Sequence, residues 1–285
     1  MNATSAPASP LSMIFKVVLL VAGAYAIYYS YKVLFASPTK TVNLISSIHR
    51  ANVDKPYIFT TQQIPRIYEG GEYSMAAWVY VQNWTGARNN FYKEVLTLGN
   101  RATEAGKITC GVYLDSMENT IHVKTNSVVD CAGAVGGSEA AVSRGVCLSN
   151  GVYNAMFKNP NIGTPSVAMG SNDCSVSPFE LQKWVHVVVV LNGKTTDVYL
   201  DGKLARSCVN SGVFAVDSDY TIQVGANGGF GGFVSGVQVC DFALNPEQVY
   251  RMYMAGPMAA VSMSEYISSL FDPQSIGTLD YPKMN

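Results

Sequence analysis

The chain has 285 residues, a formal net charge of −1 and only 14% charged side chains. This balance excludes a protein that binds nucleic acid through a dense lysine and arginine face, because such binding sets many cations against the phosphates. Once the apolar N-terminal block is set aside, about 245 residues remain, a length that a single all-β domain commonly reaches.

The N-terminal block predicts a transmembrane helix. The stretch from Met13 to Lys32 has about 20 residues, and at a rise of about 1.5 Å per residue it spans the roughly 30 Å hydrocarbon core of a bilayer. Lys16 and Lys32 lie near its ends, where their long side chains reach the interface. Tyr28 and Tyr29 lie in its C-terminal half, as in an interfacial aromatic belt. We expect a short tail over residues 1–12 and the membrane helix over 13–36.

A cleaved signal peptide is the alternative, and the small residues Ala22, Ala24 and Ala26 fit it. The leader carries no charged side chain before Lys16, whereas a signal peptide usually begins with a positive region, so the anchor is favoured. The positive-inside rule then places the C-terminal domain on the cytoplasmic side. The basic residues that follow the span and decide this are Lys32, Lys40, Arg50 and Lys55.

A strand-rich body follows the span. Residues 37–64 have mixed polarity and no sustained period, which predicts a stalk. Residues 72–81 are the strongest strand candidate, because aromatic and β-branched residues dominate there. Shorter strands are predicted at 93–98, 107–114 and 120–125. From about 128 to 174 the chain is rich in Gly, Ala, Ser and Asn, which predicts an irregular insertion.

Three closely spaced strands are predicted between residues 184 and 208. Asn192-Gly193 and Asp201-Gly202 separate them, and such pairs favour two-residue hairpin turns because they reach positive φ easily. The first strand is apolar throughout, so we expect it to be buried on both faces. His186 lies within it, and we interpret this residue as a buried histidine rather than a catalytic one.

The glycine-rich residues 225–236 superficially resemble a phosphate-binding loop. Such a loop leads into a helix whose N-terminus faces the phosphate. Here another strand follows, so we predict bulges or close backbone approach instead. Asn245-Pro246 then begins a short helix, with an N-cap residue and Pro at the first helical position. Gly256-Pro257 ends it, and residues 258–285 form a C-terminal extension.

Six cysteines lie in the globular part, and an even number suggests disulfides and an oxidising compartment. They are Cys110, Cys131, Cys147, Cys174, Cys208 and Cys240. We expect Cys131 and Cys147 to tie loops of the insertion, whereas six buried free thiols are the alternative. No CxxC pair and no histidine at ligand spacing accompanies them, so no zinc site is predicted. Disulfides conflict with a cytoplasmic domain.

The motifs EYSMAAWVYVQNW, LQKWVHVVVVLNGKTTDVYLDGKLARSCV and GGFGGFVSGVQVCDFALNPEQVYRMYMAGP together resemble the laminin-G-like, concanavalin-A-like jelly-roll family over residues 65–257. Within that family, the motifs LQKWV, DVYLDGKLARSCV and GGF-GG resemble those of members encoded by large double-stranded DNA viruses, which carry an N-terminal membrane segment. The resemblance implies an all-β, two-sheet antiparallel jelly-roll sandwich preceded by one transmembrane helix. It also implies that Cys174 pairs with Cys208. Many such viruses encode thiol oxidases, so a cytoplasm-facing domain can carry disulfides.

No catalytic motif stands out. Glucanases of this fold use carboxylates spaced along one strand, and no such run occurs. The three histidines suggest no triad, and no acidic stretch forms a recognisable calcium loop. We therefore expect no enzyme, no metal and no cofactor. Trp84 and Tyr92, beside several asparagines, are possible glycan contacts, although packing of these rings on the sandwich is the alternative.

Two functions fit these features. In the first, the chain is a membrane-anchored structural protein of a large DNA virus particle, which binds capsid proteins through its sandwich and C-terminal tail. Its partners are then the lipid bilayer and virion proteins, and its domain faces the cytoplasm or the capsid. In the second, it is a membrane-anchored, lectin-like module that recognises glycans. We favour the first.

Overall fold

The computed structural model describes residues 10–35, 40–52, 55–84, 91–129, 147–158 and 173–258. The chain divides into two compact units, residues 1–39 and residues 40–285. The first unit holds helix α1 (Pro10–Phe35). Its stretch Met13–Ser30 has a mean hydropathy of 1.7 and no buried part, so the helix is long and apolar enough to cross a membrane.

Three of the four predicted anchor side chains are described on α1. Lys16, Tyr28 and Tyr29 are all exposed. The side chain of Lys32 lies outside the described residues, although its backbone continues the helix. The predicted N-terminal apolar helix is therefore confirmed as a helix.

The second unit is built from short antiparallel strands. They are β1 (Thr41–Ile45), β2 (His49–Arg50), β3 (Tyr57–Phe59), β4 (Glu72–Asn83), β5 (Lys93–Gly99), β6 (Ile108–Leu114), β7 (Ile121–Thr125), β8 (Trp184–Asn192), β9 (Thr195–Leu200), β10 (Lys203–Val209), β11 (Thr221–Val224) and β12 (Gly231–Cys240). The described helices of this unit are α2 (Asn150–Lys158) and α3 (Pro246–Ala255).

These strands form two sheets. The larger has the order β1–β12–β4–β8–β9–β10, with β2 also paired to β12, and the smaller has the order β3–β11–β5–β6–β7. Alternation along each strand builds the core between them. On β4, Met75, Ala77 and Val79 belong to that core, whereas Ala76 packs in a separate cluster on the opposite face. The predicted two-sheet antiparallel sandwich is confirmed.

The predicted stalk is wrong over much of its length. Residues 41–45 and 49–50 pair with β12, and residues 57–59 pair with β11. Val42 and Leu44 pack against the core between the sheets. These strands have five, two and three residues, so they are too short for the alternation of apolar and polar residues to be recognised.

Both hairpin turns exist, one of them shifted by a residue. Asp201 and Gly202 have φ values of 49° and 77°, and Leu200 pairs with Lys203 across this turn. At the other turn Asn192 pairs with Thr195, so the turn residues are Gly193 and Lys194. Strand β8 is buried along nearly its whole length, as its apolar run predicts.

Strand β12 begins at Gly231, inside the glycine-rich residues 225–236, whereas the sequence predicted that the strand follows them. The register with β4 shifts between Gly231 and Gly232 and again between Ser235 and Gln238. A Cβ atom on Gly232 would lie 1.9 Å from the carbonyl oxygen of Tyr80. The predicted bulges and close backbone approach are therefore confirmed.

Two helices cover the outer faces of the sandwich. Helix α3 begins at its predicted cap, where the Asn245 side chain accepts a hydrogen bond from the backbone N–H of Gln248. Its Val249 packs on the outer face of the larger sheet. Helix α2, inside the predicted insertion, packs Tyr153 and Phe157 on the outer face of the smaller sheet.

The disulfides differ in part from expectation. Cys174 and Cys208 are bonded, which is the pair that the resemblance implies. Cys110 and Cys240 are buried free thiols. They do not pair with each other because Cys110 lies in the core between the sheets, whereas Cys240 lies in the separate cluster under α3. These two candidates are therefore wrong. Cys147 is disulfide-bonded, but Cys131 lies outside the described residues, so a link between them stays a prediction.

Candidate functional site

One polar cluster closes the edge of the smaller sheet. His122 on β7 lies 3.0 Å from a carboxylate oxygen of Asp115 through Nε2, and 2.6 Å from the hydroxyl of Ser175 through Nδ1. Ser175 donates a hydrogen bond to Asp173, whose other oxygen lies 2.9 Å from the ammonium of Lys124. The cluster therefore sets two carboxylates against one lysine and one histidine.

The hydrogen bonds of the cluster shift the pKa values of Asp115 and His122 in opposite directions. Burial alone would raise the pKa of Asp115, but hydrogen bonds from His122 and two backbone N–H groups bring it well below its usual range. Burial alone would lower the pKa of His122, but its hydrogen bonds with Asp115 and Asp173 bring it above its usual value. Among the described residues, no group of three or more His, Cys, Asp and Glu side chains is arranged to hold a metal ion.

A second polar cluster is buried under α2. The fully buried Glu94 carboxylate accepts hydrogen bonds from Arg101 at 2.7 Å and from Asn227 at 2.7 Å. Arg101 also donates to Asn154 at 2.7 Å, and its guanidinium lies 5.4 Å from the ring centre of Tyr153. The cluster fastens α2 and the turn before β12 to the smaller sheet.

The two predicted glycan contacts lie in different surroundings, Trp84 directly after β4 and Tyr92 beside the outer cluster of the smaller sheet. Trp84 is half-buried against the core, and the ammonium of Lys93 lies 5.0 Å from its ring centre. Tyr92 packs edge-on against Tyr113 at 5.5 Å and against His122 at 6.0 Å. Burial raises the pKa of Tyr92 to about 12, with a contribution from nearby carboxylates. Packing accounts for Tyr92, whereas Nε1 of Trp84 is buried without a hydrogen-bond partner among the described residues. A glycan contact here stays a prediction.

A row of aromatic side chains crosses the outer face of the larger sheet. Tyr80 on β4 pairs with Trp184 on β8 and with Phe233 on β12, at ring-centre distances of 5.5 Å and 6.1 Å. Two residues earlier on β4, Trp78 pairs with His186 at 4.8 Å. We call these five residues the aromatic face.

A cavity of about 230 Å³ lies between this face and the second half of α3. The sheet contributes Trp78, His186 and Gln238 to its lining. The helix contributes Arg251, Met252 and Ala255. We call this the aromatic cavity. Its walls are mainly apolar with a few polar groups, which is the usual composition of a small-ligand site.

His186 is the unusual member of the lining. The residue is 1% exposed, and its Nδ1 atom is buried without a hydrogen-bond partner among the described residues. Burial lowers its pKa to about 4, and the charge of Asp201 opposes this only in part. The imidazole is therefore neutral at pH 7, with one nitrogen that donates and one that accepts. Leaving this buried nitrogen unpaired costs about 1–3 kcal/mol of stability.

Sequence reasoning missed this site, although a signal for it exists. Trp78 and Tyr80 alternate along β4, and Trp184 and His186 alternate along β8, so each pair falls on one face of its strand. The two pairs lie side by side because of the register between β4 and β8. This register is decided by pairing between distant parts of the chain, which local sequence patterns do not show.

Comparison with known proteins agrees with the fold. A family model described as the concanavalin A-like lectin/glucanases superfamily, of the laminin G type, matches residues 123–250. No curated protein matches the chain in sequence.

Similar folds occur among solved structures. The ligand-binding domain of botulinum neurotoxin serotype D, solved with N-acetylneuraminic acid, is 12% identical, with a TM-score of 0.45, over 77% of this chain and 44% of that one. A Trypanosoma rangeli sialidase is 12% identical, with a TM-score of 0.45, over 78% of this chain and 28% of the sialidase. The heptameric SAP-like pentraxin of Limulus polyphemus is 13% identical, with a TM-score of 0.42, over 78% of this chain and 84% of the pentraxin. The chain thus spans less than half of the toxin and sialidase chains.

Proposed function

We propose that this protein is a single-pass membrane protein that presents a non-enzymatic binding domain at a membrane surface. The proposal rests on one observation: the same chain contains a sandwich with its own core and a separate apolar helix that has no buried part. On that helix, Leu20 and Ile27 are each 73% exposed. Water solvates such a surface poorly, and the hydrocarbon of a bilayer would cover it.

Alkaline carbonate extraction of membranes from cells that express the full chain tests the anchor. We expect the chain in the membrane pellet, and a variant without residues 10–35 in the supernatant. An epitope tag before Met1 distinguishes an anchor from a cleaved signal peptide, because cleavage removes the tag. A soluble chain that has lost the tag would contradict the anchor.

The proposal of a non-enzymatic domain rests on its carboxylates. Hydrolysis of a glycosidic bond on this fold needs two carboxyl groups that flank the bond. The described lining of the aromatic cavity contains no Asp or Glu. The buried Glu94 is paired with Arg101, and Asp115 and Asp173 are paired with His122 and Lys124. We therefore propose that the domain binds a partner without changing it.

We further propose that the partner is the protein shell of a large DNA virus particle. Support comes from the resemblance of the motifs to virus-encoded membrane proteins. It also comes from exposed apolar side chains on α3 and β10, two elements that contact each other. Leu204, Tyr250 and Met254 are 53%, 49% and 63% exposed. A protein partner would cover such side chains.

Extraction of purified particles with a mild non-ionic detergent tests this role. A chain that binds capsid proteins stays with the shell after the lipid is removed. Charge-bearing variants, Leu204→Asp and Met254→Asp, are expected to weaken that retention. A chain that leaves completely with the lipid would contradict capsid binding and leave the membrane anchor intact.

Glycan recognition is the second candidate, and the aromatic face favours it. The concanavalin-like fold suggests carbohydrate binding, and the aromatic cavity supplies an apolar wall with hydrogen-bonding groups beside it. Capsid binding and glycan recognition use different parts of the surface in this proposal, so one chain can have both.

A further inference from the structure

We propose that strand β10 binds an extended segment of a shell protein by strand addition, and that apolar and acidic residues alternate along that segment. The inference rests on the proposed role in the virus particle, and it names the surface and the partner chemistry of that contact. It is independent of glycan recognition, which would use the aromatic face.

Strand β10 is an open edge of the sandwich. It is the last strand of the larger sheet, and no described strand pairs with its outer edge. Residues 203–207 are all exposed, and so is Val209. At such an edge about every second residue presents its backbone N–H and C=O groups to a neighbour outside the sheet. By contrast, residues 173 and 176 bridge to β7 at the edge of the smaller sheet.

This edge is held in place before a partner arrives. Cys208 on β10 is bonded to Cys174. Directly after the strand, the buried Asn210 donates a hydrogen bond to the hydroxyl of Thr196 on β9 at 3.0 Å. A strand that is already ordered loses little conformational entropy on binding, which favours the addition of an extended peptide.

The two sides of β10 differ in chemistry. Leu204 pairs with Tyr199 of the cluster under α3, so it lies on the outer face of the larger sheet, where it is exposed. Tyr250 is exposed on α3, which contacts β10. Arg206 pairs with Val198 of the core between the sheets, so it lies on the opposite side. Because side chains alternate along a strand, an added segment would set every second residue beside each of these two sides.

Unpaired positive charge along the edge selects acidic residues for one side of the segment. Three exposed cations on or next to β10 form no ion pair among the described residues: Lys194, Lys203 and Arg206. The nearby carboxylates are engaged, since Asp197 accepts a hydrogen bond from Ser207 and Asp201 lies 3.2 Å from the ammonium of Lys183. Carboxylates at alternate positions of a partner strand would complement these cations.

A second copy of β10 does not fit this edge. If residues 203–209 paired antiparallel with the same residues of another copy, Arg206 would lie opposite Arg206, and like charges directly opposite each other destabilise a strand pair. Basic side chains and a bulge, here between Leu204 and Arg206, are devices that keep edge strands from pairing with one another. The same charges leave the edge open to an acidic partner.

Zero-length carbodiimide cross-linking of purified particles tests the partner chemistry, because it joins a lysine only to a carboxylate in direct contact. We expect Lys203 to be joined to Asp or Glu of a second particle protein, in a stretch where acidic and apolar residues alternate. The absence of such links, or links of Lys203 only to this chain and its own copies, would overturn the inference.

Detergent extraction of particles that carry single variants tests the mode of binding. Ala205→Pro removes a backbone N–H in the bulge, where residue 205 has no pairing partner on β9, and proline on an edge opposes an added strand. Arg206→Glu reverses a charge of the edge. Lys55→Glu is the matched control, because Lys55 is exposed just before β3, at the edge of the smaller sheet that lies opposite β7.

We expect the ratio of shell-bound to released chain to fall about tenfold or more in Arg206→Glu, because it sets like charges against each other. A similar fall is expected in Ala205→Pro, and little change in Lys55→Glu. Circular dichroism of each purified variant shows whether the sandwich is folded.

The outcomes separate this inference from the proposed function. A wild-type chain that leaves with the lipid contradicts both. If the wild type stays with the shell and folded Ala205→Pro and Arg206→Glu stay equally well, strand addition is overturned and the shell role stands. Equal loss of retention in Lys55→Glu and Arg206→Glu would indicate attraction by charge alone and would also overturn strand addition.

Discussion

Loss of the Cys174–Cys208 disulfide is expected to destabilise the sandwich strongly. Residues 174 and 176 hydrogen-bond to β7 at the edge of the smaller sheet, and Cys208 lies on β10 of the larger one, so the bond joins the two sheets. The bonded residues are 34 positions apart. The chain-entropy relation for a loop of this size gives about 3.8 kcal/mol at 25 °C. For a domain of this size that corresponds to a lower Tm by about 8–15 °C.

The double variant Cys174→Ser/Cys208→Ser tests this value by denaturant unfolding without reductant. Reductant alone is a poorer test, because it acts on every disulfide of the chain. Cys240→Ser is the control, since Cys240 is a buried free thiol. Lys124 and His122 still hold the residues next to Cys174 in the double variant, so we expect an unchanged native fold. A loss below about 1 kcal/mol would refute the reasoning that the bond constrains the unfolded chain.

Three further changes probe the turn and the two polar clusters. Gly202→Val should lower the free energy of unfolding by about 1–3 kcal/mol, because φ at this position is 77° and the new Cβ atom would lie 3.1 Å from Tyr253. Gly202→Asn should lower it less in the same thermal unfolding experiment, because Asn tolerates positive φ. Arg101→Met should lower the free energy of unfolding by about 3–5 kcal/mol, since it leaves the buried Glu94 without its cation. The double variant Arg101→Met/Glu94→Gln should recover part of that loss of stability. His122→Asn should remove a pH-dependent stabilisation: the raised pKa means that this contribution is fully present below about pH 6.5 and is lost as pH rises through the folded-state pKa. The difference in unfolding free energy between wild type and His122→Asn should therefore shrink from pH 6 to pH 9, and a constant difference would contradict the assignment.

Local sequence chemistry predicted much of the sandwich. The Asp201-Gly202 turn, the Asn245 cap and the long strands β4 and β8 follow from turn residues, capping and apolar runs. The early strands β1 to β3 were not predicted, because a strand of two to five residues shows no clear alternation of apolar and polar residues and its pairing partner lies far along the chain. Helix α2 had a usable signal in the i, i+3, i+4 spacing of Tyr153, Met156 and Phe157, but the glycine-rich surroundings obscured it.

The candidate site was less accessible to sequence reasoning than the fold. Whether Trp78 meets His186 depends on the register between two strands whose residues are more than a hundred positions apart. Whether Ala255 and Met252 close a cavity over them depends on where α3 packs. The cysteines illustrate the same limit. Their even number suggested disulfides, but Cys110 lies in the core between the sheets and Cys240 lies in the separate cluster under α3, and both are free thiols.

Cross-linking mass spectrometry on native membranes or intact particles, without reductant, tests the central claim most directly. The sandwich presents exposed lysines for the reagent at Lys183, Lys194 and Lys203. An anchored binding domain predicts links from these lysines to a second protein of the particle, together with an oxidised Cys174–Cys208 pair. Links confined to this chain and its own copies, in preparations where its membrane association is intact, would contradict a role in binding a protein partner.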